Sequence, residues 1–72
     1  MKLKASTYSI MNAGFNLNVK PRVILGLLLD LDSTIGNIVL YEDYETACEN
    51  NHSKFASYIL DIITEAGDML YE

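Results

Sequence analysis

The last third of the chain has the clearest pattern of apolar and polar positions. From residue 54 to about residue 71, apolar side chains return every three or four residues, which is the period of one face of an α-helix. The pattern predicts an amphipathic helix over roughly 54–71, with Ser53 as its N-cap. The apolar positions are Phe55, Ala56, Ile59, Ile62, Ile63, Ala66, Met69 and Leu70.

The segment 34–49 is predicted to form a second helix, with Ser33 or Thr34 at its start. In this helix the glutamates share one face and the apolar residues share another. Cys48 lies on the apolar side, and we interpret it as a small buried hydrophobic residue. The residues expected on the apolar face are Ile35, Ile38, Val39, Ala47 and Cys48.

The continuous apolar run from Val23 to Leu31 allows two interpretations. Pro21 suits the first turn of a helix, because its missing N–H would be unpaired there, and the many leucines also favour a helix. The β-branched Val23 and Ile24 also allow a buried strand, and such a strand could pair with 37–41. We favour the helix, and an α+β fold with a β-hairpin around 22–41 is the alternative.

The first twenty residues predict a different kind of element. Apolar and polar residues alternate strictly over 15–20 and again over 2–5, and residues 12–14 could turn between the two segments. This pattern indicates a β-hairpin or a single half-buried strand. The rival interpretation is a short helix that starts at Ser6 and ends at Gly14. The chain is therefore expected to be a single, mainly α domain of residues 1–72, with two or three helices and a short N-terminal β element.

Size and composition leave three ways to stabilise the domain: oligomerisation, docking to a partner, or unusually good helix packing. Half of the 72 residues are apolar, and the lone cysteine excludes an internal disulfide. A domain of this size buries only about 60% of the surface of its unfolded chain, so its stability is marginal. We therefore expect a homo-oligomer or a complex with another chain to cover some of the apolar surface.

The same sequence indicates a cytoplasmic location. The longest apolar run is too short for a bilayer, which needs about 20 apolar residues, so no membrane association is expected. A single cysteine suits a reducing compartment.

Charge is distributed unevenly along the chain. The first 29 residues hold four bases and no acid, whereas the remainder holds ten acids and one base. An acidic surface argues against direct binding of DNA or RNA, because phosphates need cations opposite them. It suits a basic protein partner, or it serves only to keep the protein soluble.

The most distinctive polar feature is an acidic tyrosine segment, which comprises Tyr41, Glu42, Asp43, Tyr44, Glu45 and Glu49. On a helix, the three glutamates form a ridge that Asp43 flanks. Tyrosine is enriched in the energetic centres of protein interfaces, and carboxylates there bind arginine and lysine. The segment is therefore the predicted partner-binding site. The alternative is a solvated helix face whose tyrosine rings tuck partly into the core.

One short motif carries possible phosphoryl chemistry. Asp30-Leu31-Asp32-Ser33-Thr34 follows the apolar run and resembles the first motif of the haloacid-dehalogenase-like phosphotransferases. The resemblance implies Asp30 as nucleophile, Asp32 as general acid/base, Thr34 in a positioning role, and a Mg²⁺ ion. It also implies a sheet of parallel strands, in which each crossover unit takes about 30 residues. A helix-capping turn needs the same residue types and is the interpretation we favour, so no enzymatic activity is predicted.

A second spacing suggests a metal site. Glu49 and His52 are three residues apart, as in helical bundles that bind two metals through bridging carboxylates, and a homodimer would supply two copies. Asn50 and Asn51 between them are typical of a helix end, however. We therefore interpret His52 as a solvated loop residue and predict no metal and no cofactor.

Together these features predict a non-catalytic, acidic protein-binding module. Regularly spaced carboxylates on a helix can compete with a phosphate backbone for a basic groove. The specific hypothesis is a small inhibitor of a nucleic-acid-handling protein, of the kind that phages and mobile elements direct against host defence. The alternatives are a homo-oligomeric assembly module and the phosphotransferase-like site at Asp30 and Asp32.

Overall fold

The computed structural model describes residues 6–32 and 34–70, and this part of the chain is built from four α-helices without a β-strand. The prediction of a mainly α fold is confirmed, although the helices number four rather than two or three. The helices are α1 (Thr7–Asn16), α2 (Pro21–Leu31), α3 (Asn37–Glu49) and α4 (Ser53–Leu70).

Helix α4 is the element against which the other three helices pack. The predicted amphipathic helix is confirmed, and six of its predicted apolar positions are buried. Ser53 is the first helical residue rather than the cap, because the carbonyl of His52 accepts the hydrogen bond from the Ala56 N–H, at 2.8 Å. The side chains of Met69 and Leu70 lie outside what the structure describes. The buried residues are Phe55, Ala56, Ile59, Ile62, Ile63 and Ala66.

Helix α2 confirms the helical interpretation of the apolar run. Pro21 is its first residue, as its lack of an N–H predicts. Ile24, Leu25 and Leu28 are buried, and their spacing marks the face that α2 turns to the core. The alternative of a β-hairpin around 22–41 is therefore wrong, because the two segments it would pair lie in α2 and α3.

Helix α1 stands where a β element was expected. Phe15 and Asn16 end this helix, and residues 17–20 form the turn into α2, so the strand predicted over 15–20 is wrong. Ser6 caps the helix, accepting a hydrogen bond from the Ser9 N–H at 3.1 Å, and Met11 enters the core. The stabilisation from burying one face of a helix therefore outweighed the strand preference of the alternating segment. The part of the prediction that concerns residues 2–5 lies outside the described residues.

A left-handed asparagine follows the end of α1 and another follows the end of α3. The rival interpretation had placed the end of the first helix at Gly14. Asn18 has φ 59° and Asn51 has φ 61°, a left-handed conformation that asparagine tolerates better than most residues. In both cases the following N–H returns to the helix: Val19 donates to the Gly14 carbonyl and His52 to the Ala47 carbonyl, each at 2.9 Å. These are the hydrogen bonds of Schellman motifs, which stop the helix and satisfy its last carbonyls.

Gly14 has a packing role instead of a capping role. It is buried where α1 meets α2, and a Cβ there would lie 2.5 Å from Ile24 and 2.9 Å from the Tyr58 oxygen. Only glycine allows so close an approach. The Tyr58 hydroxyl in turn donates a 2.7 Å hydrogen bond to the Val19 carbonyl, which ties the α1–α2 turn to α4.

Aromatic rings complete the contact between α1 and α4. Tyr8 meets Phe55 edge to face, with ring centroids 5.1 Å apart. Phe15 contacts Phe55 from α1 as well, at 5.5 Å. Such pairs add to the burial of apolar area, so they help to explain why the N-terminal segment packs as a helix.

Helix α3 buries only part of the apolar face predicted for it: Ala47 enters the core as expected, but the rest of the buried side differs. Leu40 and Ala47 are buried, whereas Ile38, Val39 and Cys48 are exposed. The helix begins at Asn37 with Gly36 as its N-cap, so the predicted cap at Thr34 is wrong. Ser33, the other predicted cap, lies outside the described residues.

Candidate protein-binding surface

The acidic tyrosine segment lies entirely on α3, and the helix divides its six residues between two sides. Tyr41, Glu42, Glu45 and Glu49 are exposed, and Tyr41 retains 48% of its accessible surface. Asp43 and Tyr44 are half-buried, because they lie on the same side as Leu40 and Ala47. The structure thus brings the three predicted glutamates together and separates Asp43 from them.

Asp43 is tied to α1. The Thr7 hydroxyl donates a 2.5 Å hydrogen bond to its Oδ2 atom, between residues 36 positions apart in the chain. Burial raises the pKa of the Asp43 carboxyl above its usual value; the hydrogen bond from Thr7 opposes this rise, and the charge of Glu42 adds to it. Asp43 therefore serves the contact between α1 and α3, and it contributes little to the outer acidic ridge.

Tyr44 lies at the edge of the core, where its ring packs against buried apolar residues. A side-chain hydrogen bond with Cys48, one turn further on, raises the pKa of the Tyr44 hydroxyl, and the nearby thiol adds to this effect when it is ionised. Cys48 itself is exposed, so its interpretation as a buried hydrophobic residue is wrong.

The exposed side of α3 also carries apolar residues that the sequence pattern had assigned to the core. Ile38 is 77% exposed and Val39 is 40% exposed. Ile38 shares one line of the helix with the three glutamates, because their spacing follows the helical repeat. We call this surface the α3 outer face and define it as Ile38, Tyr41, Glu42, Glu45 and Glu49.

The glutamates of the α3 outer face are not placed where they would stabilise the helix. Glu49 is the last residue of α3, and the last turn contains no base. Acids are unfavourable at that end, because the helix dipole is negative there. In the part of the chain that the structure describes, the ion pair joins Arg22 to Glu65 at 3.3 Å, and none of the α3 glutamates is paired with a base. The face therefore presents uncompensated negative charge beside an exposed tyrosine ring.

Asp32 and Thr34 of the Asp-x-Asp-x-Thr motif are joined in a turn at the end of α2. Asp30 is exposed in the last turn of that helix. The Asp32 Oδ1 atom accepts hydrogen bonds from the Thr34 N–H at 3.0 Å and from the Thr34 hydroxyl at 2.5 Å. These two bonds form an Asx turn between α2 and α3. They are not the predicted helix cap, because Thr34 lies outside α3 and Gly36 is the N-cap of that helix. A helix stands before the motif where the resemblance to phosphotransferases implies a strand.

The second candidate motif, Glu49 and His52, does not lie on one helix. His52 follows the left-handed Asn51, outside α3, so Glu49 and His52 do not occupy successive turns of one helix. Within residues 6–32 and 34–70, no group of three or more metal-binding side chains comes together.

A wide depression of about 300 Å³ lies at the start of α4. Its lining is Phe15, Asn51, His52, Ser53, Lys54 and Phe55.

No helix in the described residues has the length and apolar character needed to cross a membrane. No protein-family model, no curated protein and no solved structure matches this chain.

Proposed function

We propose that this protein is a non-catalytic binding module whose α3 outer face docks on a basic surface of another protein. The observation that supports this proposal is the line of exposed, unpaired glutamates on α3, which ends beside the negative pole of the helix. Stability alone does not favour that arrangement, because uncompensated acids at a helix C-terminus are destabilising. A basic partner would neutralise them.

The exposed apolar side chains of the α3 outer face would supply binding affinity that charge alone does not supply. Acidic groups at an interface steer association and select a basic partner, but much of the affinity comes from a few aromatic or apolar anchors. Tyr41 and Ile38 lie among the glutamates and have the exposure such anchors need, at 48% and 77%. The α3 outer face therefore combines steering charge with anchors on one helix.

The partner we favour is a nucleic-acid-handling protein. From Glu42 to Glu49 the carboxylates extend along roughly 10 Å of helix axis, at a rise of about 1.5 Å per residue. A groove that binds the closely spaced phosphates of a nucleic acid is lined with lysine and arginine, which also bind carboxylates. The protein would then act in the cytoplasm as a small inhibitor that competes with nucleic acid, of the kind used by phages and mobile elements.

The experiment compares two variants with the same change in net charge. Glu45→Lys with Glu49→Lys alters the α3 outer face, and a triple lysine variant alters an exposed line of α4. Each is immobilised and exposed to lysate of the source cells or their host, beside the wild type. The retained protein is then purified, and its nucleic-acid binding is measured by fluorescence anisotropy. The control substitutions are Ser57→Lys, Asp61→Lys and Thr64→Lys.

We expect the wild type and the α4 control to retain one nucleic-acid-binding protein and to displace its nucleic acid. The α3 variant should bind that protein at least about tenfold more weakly, because charges that face a basic groove contribute strongly. Equal retention by both variants, or simultaneous binding of nucleic acid and this protein, contradicts the proposal.

A further inference from the structure

Helix α2 carries an exposed surface of a different character from the α3 outer face. Val23, Leu27 and Leu31 are 59%, 47% and 65% exposed. Because they are spaced four residues apart, they form one line along the helix, which we call the α2 stripe. It lies away from the face through which Leu25 and Leu28 enter the core. Another face of α2 is already packed against the core, so this exposed apolar line is available as an interface.

Opposite charges flank the two ends of the α2 stripe. Lys20, the exposed N-cap of α2, precedes Val23 by three residues, so it lies near the start of the stripe. Asp30 is exposed near the end, three residues after Leu27 and one before Leu31. The stripe is therefore basic at one end and acidic at the other.

This arrangement is complementary to itself when two copies run antiparallel. With Leu27 on the two-fold axis, it meets the partner's Leu27, and Val23 meets the partner's Leu31, because both lie four residues from the axis, about 6 Å along the helix. The same rotation brings Lys20 within reach of the partner's Asp30. A parallel arrangement would instead place like charges side by side.

We propose that the protein forms a two-fold symmetric dimer in which the α2 stripes of two copies pack antiparallel. A two-fold interface uses the same patch on both subunits, so the patch must complement itself, and the α2 stripe does so in both apolar contacts and charge. The dimer uses none of the residues of the α3 outer face, so it stands or falls independently of the proposed function.

The expected dimer is a weak one. A standard stable interface buries about 800 Å² per partner, and a three-residue stripe flanked by charges is smaller than that. We therefore expect a dissociation constant on the order of micromolar.

The first experiment measures the sedimentation coefficient of the full chain between roughly 1 and 300 μM, a range around the expected dissociation constant. Leu27→Asp should leave the protein monomeric throughout, because it places two carboxylates on the two-fold axis. Leu60→Asp is the matched control: it changes a leucine of similar exposure, 41% against 47%, on α4. Circular dichroism is used to check that both variants remain helical. A wild type that stays monomeric, or a dimer that tolerates Leu27→Asp, overturns the proposal.

The second experiment tests the antiparallel pairing through charge. Lys20→Glu and Asp30→Lys should each weaken the homodimer about tenfold or more, because each sets two like-charged pairs across the interface. Both exposed substitutions suit their helix ends, so we expect the fold to be retained. An equal mixture of the two variants should recover dimerisation, since both cross-interface pairs are then opposite in charge. Failure of the mixture to recover it overturns the arrangement.

Discussion

Helices α3 and α4 are both predicted by the sequence to be amphipathic, but only α4 buries the face that its pattern predicts. On α4, six apolar residues recur at helical spacing and all of them are buried. On α3, the apolar residues Ile38 and Val39 are exposed, while the acidic Asp43 is half-buried. The comparison shows that a strong apolar pattern determines which face a helix buries, whereas a weak one leaves that choice to its neighbours.

The position of each helix in the fold explains the difference. Helix α4 contacts all three of the other helices, so a broad face of it is enclosed. Helix α3 contacts α4 and α1, and it has only a narrow apolar strip, in which Leu40 and Ala47 are buried. Packing that strip against α4 leaves Ile38 outside the interface and carries Asp43 towards Thr7.

The largest expected effect is a difference in the free energy of unfolding between two variants. One truncates a buried isoleucine on α4, and the other truncates an exposed isoleucine on α3. Ile59→Ala should lower the free energy of unfolding by about 2–4 kcal/mol, because it removes a side chain with no exposed surface and leaves a cavity. Ile38→Ala should change it by less than about 0.5 kcal/mol, because that side chain is already in solvent. Urea denaturation followed by circular dichroism at 222 nm measures both.

A wild-type dimer would complicate this measurement, so it is made at a concentration where the protein is monomeric. A loss of more than about 1.5 kcal/mol for Ile38→Ala would place that side chain in the core and remove the contrast between the helices.

The next effect concerns the hydrogen bond that joins α3 to α1. Thr7→Ala should lower the free energy of unfolding by about 1–1.5 kcal/mol, because the half-buried Asp43 carboxylate loses its hydrogen-bond donor. Thr46→Ala is the matched control: its hydroxyl donates to the Glu42 carbonyl within α3, in an exposed position. That change should be within about 0.5 kcal/mol of neutral. Equal losses for the two variants would show that Asp43 does not depend on Thr7.

The smallest effect is a pH dependence at Asp43. Burial and the Glu42 charge hold its pKa above the ordinary value of 3.8 in the folded protein, so folding favours the protonated carboxyl. The stability from this group is therefore fully present below the unfolded pKa and is lost as pH rises through the folded pKa. Asp43→Asn, whose amide oxygen can still accept from Thr7, should be more stable than wild type at pH 7.

The gain should be about 0.5 kcal/mol, since the group is partly solvated and its interactions are screened. At pH 3, where Asp43 is protonated, the two proteins should have equal stability. Measuring the difference between them, rather than each curve alone, removes the titration of the other carboxylates. A variant that is less stable than wild type at pH 7 would indicate that the Thr7 hydrogen bond outweighs burial.

Sequence patterns predicted the fold where one interaction dominated. The period of α4 and the position of Pro21 in α2 each follow from local chemistry, and both predictions are confirmed. The prediction failed at α1, where the alternation over 15–20 carried the wrong signal. Serine at position 6 and asparagine at position 18 were the local signals of that helix, because they suit its N-cap and its left-handed end.

The candidate surface was predicted in part for the same reason. Helical spacing alone places Glu42, Glu45 and Glu49 in one line, wherever the helix packs. Spacing could not show that Asp43 would bond to Thr7, which lies 36 residues away in the chain, or that Ile38 would join the glutamates in solvent.

The sequence by itself thus determined helix α4 and the line of acids on α3, and it favoured the mainly α class and the helix α2 over a strand alternative. The tertiary structure decided which side of α3 faces the core, that the N-terminal segment is a helix, and that an apolar stripe on α2 stays exposed. Local propensity and periodicity act within a few turns of chain, whereas burial depends on which helices meet. In so small a domain each helix can bury only one side, so these long-range contacts select its exposed surface.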